Sequence, residues 1–326
     1  MKVSIALCTY NGEQYLREQL ESFLNQSRKP DEIIVCDDKS SDGTWNILEQ
    51  FKKEAPFKVH LIQNKTNLGS TANFAKAIDL CTGEIIFLSD QDDVWLPLKL
   101  EVIANVFERD PDVGMVFSNA FVTNENLQPY AESLWEYVKF DEDMQRLCLQ
   151  GRLWSALIQR SYVTGATMAF RGKWKFLLNP FPANWVHDEW ITILTDLISK
   201  IKFVPEKLIL YRQHQNQQIG VEINKKKKSA FVRMRNFIFP DKSRYRYKRD
   251  IERVKFLIDR ILEYQSFLRE PGMYNELASK WEYWCTRYNL PYNPWKRWQI
   301  IREELAAGHY RRYSQSNSVA LKDFFF

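Results

Sequence analysis

The chain has 326 residues, 45% of them hydrophobic and 27% charged, a globular balance that excludes a mainly disordered chain, a collagen-like repeat and a coiled-coil rod. That length predicts two domains, or one large α/β domain with an appendage. The formal charge of +5 is uneven: residues 1–215 hold 23 Lys and Arg against 29 Asp and Glu, a balance of −6, whereas residues 216–326 hold 23 against 12, a balance of +11. The asymmetry predicts a catalytic domain over 1–215 and a basic, aromatic-rich helical extension over 216–326 with an anionic partner.

Residues 3–8 are a short apolar run that stops at Thr9-Tyr10-Asn11-Gly12, the pattern of a buried strand and a turn. Tyr15, Leu16, Leu20, Phe23 and Leu24 recur at helical spacing over 13–24. Ile33, Ile34 and Val35 mark a second strand over 31–38 that ends in Asp37 and Asp38. Ser40-Ser41-Asp42-Gly43 then offers caps for a helix over 44–53. A third strand over 58–62, a turn at Asn67-Leu68-Gly69-Ser70, a helix to Leu80 and a fourth strand over 84–89 follow, the last ending at Asp90-Gln91-Asp92-Asp93. Strands alternating with helices predict a mainly parallel sheet with helices on its faces. Polar residues at each strand's C-terminal end place a ligand site along that edge.

The pattern weakens after a fifth strand over 113–118. Residues 121–162 are polar and aromatic, a short strand over 162–170 surrounds Thr164-Gly165-Ala166-Thr167, a helix is expected over 187–199, and one or two strands over 201–211. From Gln218 onward the chain is basic and helical in pattern, interrupted at Pro240, Pro271, Pro291 and Pro294. The five cysteines are widely spaced, with no CxxC pair and no His at ligand spacing, so neither a disulfide framework nor a zinc site is expected. Cys8 and Cys36 end apolar runs and read as small buried hydrophobes. The first residues turn polar too early for a signal peptide, and no apolar run approaches ~18 residues. A reduced, cytoplasmic protein is the expectation.

Four clusters carry chemistry. Asp90, Asp92 and Asp93 form a DxD-type loop after a strand; such acids repel one another unless a cation or solvent intervenes, and Mg²⁺ or Mn²⁺ with a diphosphate would suit them. Asp38 at a strand end can accept from a base or ribose, whereas Asp42 reads as a cap. Trp185-Val186-His187-Asp188-Glu189-Trp190 sets acids between two aromatic rings, an arrangement suited to sugar stacking and proton abstraction. Tyr211-Arg212-Gln213-His214 follows an apolar strand, where Arg and His can meet a diphosphate or its metal. No GxGxxG follows the first strand, and neither GxxxxGK[ST] nor GxSxG occurs, which disfavours dinucleotide, P-loop and hydrolase chemistry.

The ordered set from Ser4 to Gly12, Ile34 to Thr44, Asn67-Leu68-Gly69, Ser89 to Trp95 and His187 to Trp190 resembles the family 2 glycosyltransferases of the GT-A fold, in the branch that builds bacterial surface polysaccharides. SDQDD-x-W and YRQH look like a subgroup often labelled rhamnosyltransferase. The resemblance covers roughly residues 2–215. It implies that Thr9, Tyr10, Glu13, Asp38, Asn67, Gly69, Asp90, Gln91 and Arg212 bind the nucleotide sugar, that Asp92 and His214 hold Mg²⁺ or Mn²⁺, and that Asp188 is the catalytic base. It places Gly165, Ala166, Trp185, Glu189 and Trp190 around the acceptor. No QxxRW motif is present, so single-sugar addition is expected rather than polymer extrusion.

The implied reaction is inverting, metal-dependent transfer from a nucleotide-diphosphate sugar, UDP-hexose or dTDP-rhamnose, to a saccharide acceptor, expected to be lipid-diphosphate-linked. The alternatives are a non-catalytic saccharide or lipid-sugar binding protein on the same fold, which the presence of both Asp92 and Asp188 disfavours, and a nucleic-acid binder, for which no motif is found. Residues 225–255 carry 13 Lys and Arg against three acids, interleaved with aromatics. Over 216–326 this predicts peripheral docking on the anionic inner face of the plasma membrane.

Overall fold

All seven residues of β1 (Val3–Thr9) and all six of β2 (Glu32–Asp37) are buried, as strands covered by helices on both faces must be. The computed structural model describes residues 1–158, 160–215, 217, 243–314 and 318–325, and divides into two units, Met1–Ile223 and Asn224–Phe326. The run at 225–228, the break at Pro240 and most of the basic stretch expected to follow residue 216 lie outside the described residues.

The first unit continues as α1 (Leu16–Leu24), α2 (Thr44–Glu54), β3 (Lys58–Gln63), α3 (Ser70–Leu80), β4 (Ile85–Ser89), β5 (Val94–Trp95), α4 (Lys99–Arg109), β6 (Val113–Thr123) and β7 (Pro129–Ser133). Three short helices, α5 (Leu134–Val138), α6 (Glu142–Leu149) and α7 (Trp154–Leu157), precede β8 (Met168–Arg171), α8 (Lys175–Leu178), α9 (His187–Ile198) and β9 (Lys200–Arg212). The strands lie in the order β3-β2-β1-β4-β8-β6-β9-β5, with β7 on β6. β3, β2, β1 and β4 are mutually parallel; β8 turns the sheet antiparallel on both its sides, and β6 and β9 run parallel again. The fold is a mixed, mainly parallel α/β sheet flanked by helices, as the sequence predicts. β3 is exposed on alternate residues at its start, in keeping with its place at the edge.

Helix α1 buries Leu16, Gln19, Leu20 and Phe23, one face at helical spacing, against Leu7, Ile5 and Trp95 in a single apolar core. The structure departs from the sequence reading in two places. β6 runs on to Thr123, five residues past the expected end, because β9 lies beside it along its length. Of the one or two strands expected over 201–211 there is one, β9, thirteen residues long. Gly165–Thr167 is a 3₁₀ turn, and the strand begins only at Met168. All five cysteines are free, and Cys8 and Cys36 are buried.

The second unit is helical: α10 (Ser243–Glu263), α11 (Gly272–Tyr288), α12 (Pro294–Ala306), α13 (His309–Ser314) and α14 (Ser318–Phe325). Pro271 directly precedes α11, and Pro294 opens α12 at a position whose amide has no helical acceptor, with the Asn293 side chain capping Trp295 and Lys296. Among the described residues no helix is long and apolar enough to cross a membrane.

Candidate active site

The polar residues at the ends of β1, β2 and β4 converge, with the 3₁₀ turn, the start of α9 and the end of β9, on a cavity of about 480 Å³. Its walls include Thr9, Tyr10, Asp38, Asn67, Gly69, Asp90, Gln91, Asp92, Gly165, Asp188, Arg212 and His214. Twelve of the residues singled out in the sequence therefore face one space. Parallel strands put their carboxyl ends on one edge, and consecutive βα loops have to meet there.

On one side Asp38 organises the loop before α3. Its carboxylate accepts from Leu68 N, Gly69 N and Asn64 Nδ2, each at 2.8 Å. Gly69 sits at φ 81°, the left-handed region where a side chain is strained, so glycine lets this loop turn its amide back onto Asp38. Thr9 Oγ1 donates to Asp37 Oδ1 at 2.9 Å, tying β1 to β2, while the Tyr10 side chain is 49% exposed at the rim.

The acid loop stands opposite. Asp92 Oδ2 and His214 Nε2 are 2.8 Å apart, and the His214 ring packs on Tyr15 at 4.7 Å. Burial raises Asp90 to about 7, with the charges of Asp92 and Asp188 adding to the effect and Lys99 opposing it. Asp93, behind the loop, is raised further by burial and by Asp92 and Asp90, and accepts from Arg212 N at 3.0 Å. Lys99 is fully buried, lies 3.5 Å over the Trp95 ring and donates to Ala166 O at 2.6 Å. In the sequence it is a lysine between Leu98 and Leu100 at the start of a helix, and nothing marks it as the buried cation behind the acid loop.

Asp188 lies in the first turn of α9. Oδ2 accepts from Gly165 N at 3.0 Å and Oδ1 from Glu189 N at 2.7 Å. Burial pushes it up to about 6 against the lowering effect of these two amides. His187 stacks on Phe74 with ring centroids 4.0 Å apart, and burial lowers it to about 3, so it is a neutral imidazole on the cavity wall. The sequence flagged His187 only as part of its cluster.

Several predicted site residues have other employment. Trp185 and Trp190 are 2% and 0% exposed and pack on each other at 5.6 Å, with Trp190 Nε1 donating to Leu178 O. They are core, not walls for a sugar: Trp190 is on the buried side of α9, and Trp185, just before the helix, packs against it. Ala166 is likewise fully buried, with its carbonyl taken by Lys99, and Glu189 does not line the cavity. The Glu13 carboxylate accepts from Gly43 N at the start of α2, outside the cavity. Gln91 reaches the cavity, but its amide is bonded to both backbone groups of Tyr10. Arg212 lines the cavity with its backbone drawn in, yet its guanidinium bonds Asp92 O, Glu125 O and the Glu18 carboxylate and lies over the Tyr15 ring. It braces the acid loop rather than standing ready for a diphosphate.

The donor set suits a hard divalent cation: carboxylates too close to ionise independently, with an imidazole at their edge. Among the described residues no three such side chains close a cage; Mg²⁺ and Mn²⁺ are commonly held by one or two carboxylates, with phosphate oxygens and water completing the shell.

The pattern of the family described as "Glycosyl transferase family 2" matches residues 4–154. An uncharacterized glycosyltransferase of Nostoc sp. is 30% identical over 218 residues, 66% of this chain and 65% of that protein. The dTDP-rhamnosyl transferase RfbG of Shigella flexneri is 28% identical over 241 residues, 68% of this chain and 76% of its own. The chain thus spans just under two thirds of the Nostoc relative's length. Among solved structures, S. aureus TarS 1–349 in complex with UDP-GlcNAc is similar with a TM-score of 0.59 at 16% identity, covering 100% of this chain and 89% of that one.

Proposed function

Because the chain belongs to glycosyltransferase family 2, we propose that it moves a single sugar, with inversion, from a pyrimidine nucleoside-diphosphate sugar to a hydroxyl of a saccharide acceptor carried on a lipid diphosphate, in surface polysaccharide assembly. The observation that carries this reading is that Asp188 opens into the same cavity as Asp38 and Thr9 on one side and Asp90, Asp92 and His214 on the other. A donor laid along the strand ends has its base near Asp38 and its diphosphate near Asp92. Two relatives in fold or sequence are named for pyrimidine donors, UDP-GlcNAc and dTDP-rhamnose.

The chemistry falls to Asp188. Its carboxylate takes the proton of the acceptor hydroxyl as that oxygen bonds to the anomeric carbon from the face opposite the diphosphate. The bond from the anomeric carbon to the diphosphate oxygen breaks, and its electron pair leaves with the nucleotide. Gly165 N and Glu189 N fix the carboxylate's direction, and a base raised to about 6 is ionised at neutral pH yet more basic than an ordinary aspartate. Asp92 and His214, with Asp90 beside them, would hold Mg²⁺ or Mn²⁺, which when bound offsets negative charge on the departing diphosphate. The neutral His187 and Gly165 border the space left for the acceptor.

The test is release of nucleoside diphosphate from a panel of UDP-hexoses and dTDP-rhamnose with the purified chain, in Mg²⁺, Mn²⁺ and chelator. One pyrimidine donor is expected to turn over, faster with acceptor and only with metal. Undiminished turnover in chelator, or in Asp92→Asn, overturns the metal assignment; no turnover of any donor with any saccharide lipid overturns the reading as a whole.

A further inference from the structure

The second unit holds its core aromatics inside and leaves a separate set outside. Tyr283 and Tyr310 are each 1% exposed, whereas Tyr292 is 81%, Trp295 84%, Trp298 44% and Phe325 71% exposed. Trp295, Trp298 and Phe325 of this outer set share one area. Trp295 and Trp298 are three residues apart on α12 and so lie on one helix face. Trp298 meets Phe324 of α14 at 5.7 Å, and Phe324 meets Phe325 at 5.3 Å. Leu321, 62% exposed, lies one turn before Phe325 on α14. Below this layer the helices are fastened, with Arg297 donating to Pro291 O and Phe324 O.

The charges around the patch have one dominant sign. Lys296 and Arg302 on α12 and Lys322 on α14 are exposed. Asp323, the acid nearest the aromatics in sequence, faces inward to Arg287 and Tyr310. Glu303 is the exposed acid on α12 close to this set. Tryptophan and tyrosine favour the boundary between water and hydrocarbon, and lysine and arginine favour anionic headgroups. A soluble surface seldom gathers so many exposed large apolar rings without a surface to cover them.

We propose that the face formed by Trp295, Trp298, Leu321 and Phe325 docks on an anionic lipid bilayer, with the rings at headgroup depth and Lys296, Arg302 and Lys322 on the phosphates. The site lies wholly within the second unit and does not depend on the transfer reaction, though it would bring the chain to lipid-linked saccharide. It assigns docking to the folded aromatic faces of α12 and α14, where the sequence reading spread it over the basic and aromatic residues of 216–326.

The experiment is sedimentation of the full chain with vesicles of phosphatidylcholine containing three parts in ten phosphatidylglycerol, and with phosphatidylcholine alone, at low and high salt. The chain is expected to pellet with the anionic vesicles at low salt. The double variant Trp295→Ser, Trp298→Ser, at two exposed positions, should lose at least tenfold in partitioning with an unchanged melting curve. Lys322→Gln should lose roughly fivefold. Water-soluble acceptor turnover should be equal in all of them, so failure of docking is distinguishable from failure of the proposed activity. The proposal is overturned if the parent stays in the supernatant, if the double variant binds as the parent does, if only neutralising 225–228 releases the chain, or if the aromatic variants instead turn a dimer into a monomer in ultracentrifugation without vesicles.

Discussion

Buried charge is handled in opposite ways in the two units. In the second, Arg287 meets Asp323 through two nitrogens, and Tyr310 and Ser314 take further hydrogen bonds, so the charges close on themselves. In the first, Asp93 is buried and Asp90 and Asp188 are half-buried, with fewer cations than carboxylates around them, and desolvation raises all three. Lys99 is the cation behind them, and burial lowers its own affinity for a proton. A matched pair holds helices together. An unmatched acid cluster at the mouth of a cavity is stable only as a compromise, and its imbalance is what a cationic or proton-donating ligand relieves.

The sharpest way to break this contrast is to remove one charge from each unit's arrangement. Asp188→Asn is expected to lower turnover by ~10²–10⁴-fold while calorimetry still registers donor binding. If Glu189→Gln lost the rate and Asp188→Asn kept it, the base would have been assigned to the wrong neighbour. In the second unit, Arg287→Met leaves Asp323 without its partner and should cost about 3 kcal/mol of folding stability, read as a lower urea midpoint, with donor affinity unchanged. A loss of turnover per folded molecule there would erase the distinction between the units.

Acidity sharpens the contrast further. Asp188 works only when ionised, and its proton affinity is raised, so kcat/KM should climb with pH through about 6 and level off above it. An acid limb near the ordinary value of 3.8 would show that a different, solvated group is the base. The smallest expected effect concerns the buried tryptophans. Trp190→Phe removes the bond to Leu178 O and should cost about 1–2 kcal/mol of stability, with KM for the acceptor unaltered. A raised KM at full stability would restore the ring to the sugar site.

β1, β2 and β4 were legible because burial on both faces writes them as continuous apolar runs, and their polar ends mark the site edge. The acid loop and Asp38 were legible for the same reason: they stand where such strands stop, whereas Asp188 was marked only by its cluster at the start of a helix. What escaped was set by side-chain direction. Trp185 and Trp190 flank Asp188 in sequence, but Trp190 stands two helical residues beyond Asp188, about 200° round α9, and Trp185, which precedes the helix, packs on Trp190, so both rings are buried. Arg212 has the composition of a phosphate ligand, yet Glu18, from a helix 194 positions earlier, claims it. Lys99 offered no cue, since only the meeting of α4 with the turn at Ala166 buries it. The stretch from 121 to 162 defeated periodicity because β7, α5 and α7 are only four or five residues long and α6 only eight, shorter than the window over which a period can be read.

Gln91 carries a last consequence. Its amide accepts from Tyr10 N at 2.8 Å and donates to Tyr10 O at 3.0 Å, and a methyl group on Gly12 would lie 2.2 Å from its oxygen. One side chain thereby rivets the loop after β1 to the loop after β4, and the glycine is what leaves room for the rivet. In the proposed donor pose these two loops would be the jaws of a caliper of fixed gauge. Gly12→Ala should loosen that gauge, letting the jaws drift apart and making the chain less choosy about donor size without touching any group that performs the transfer.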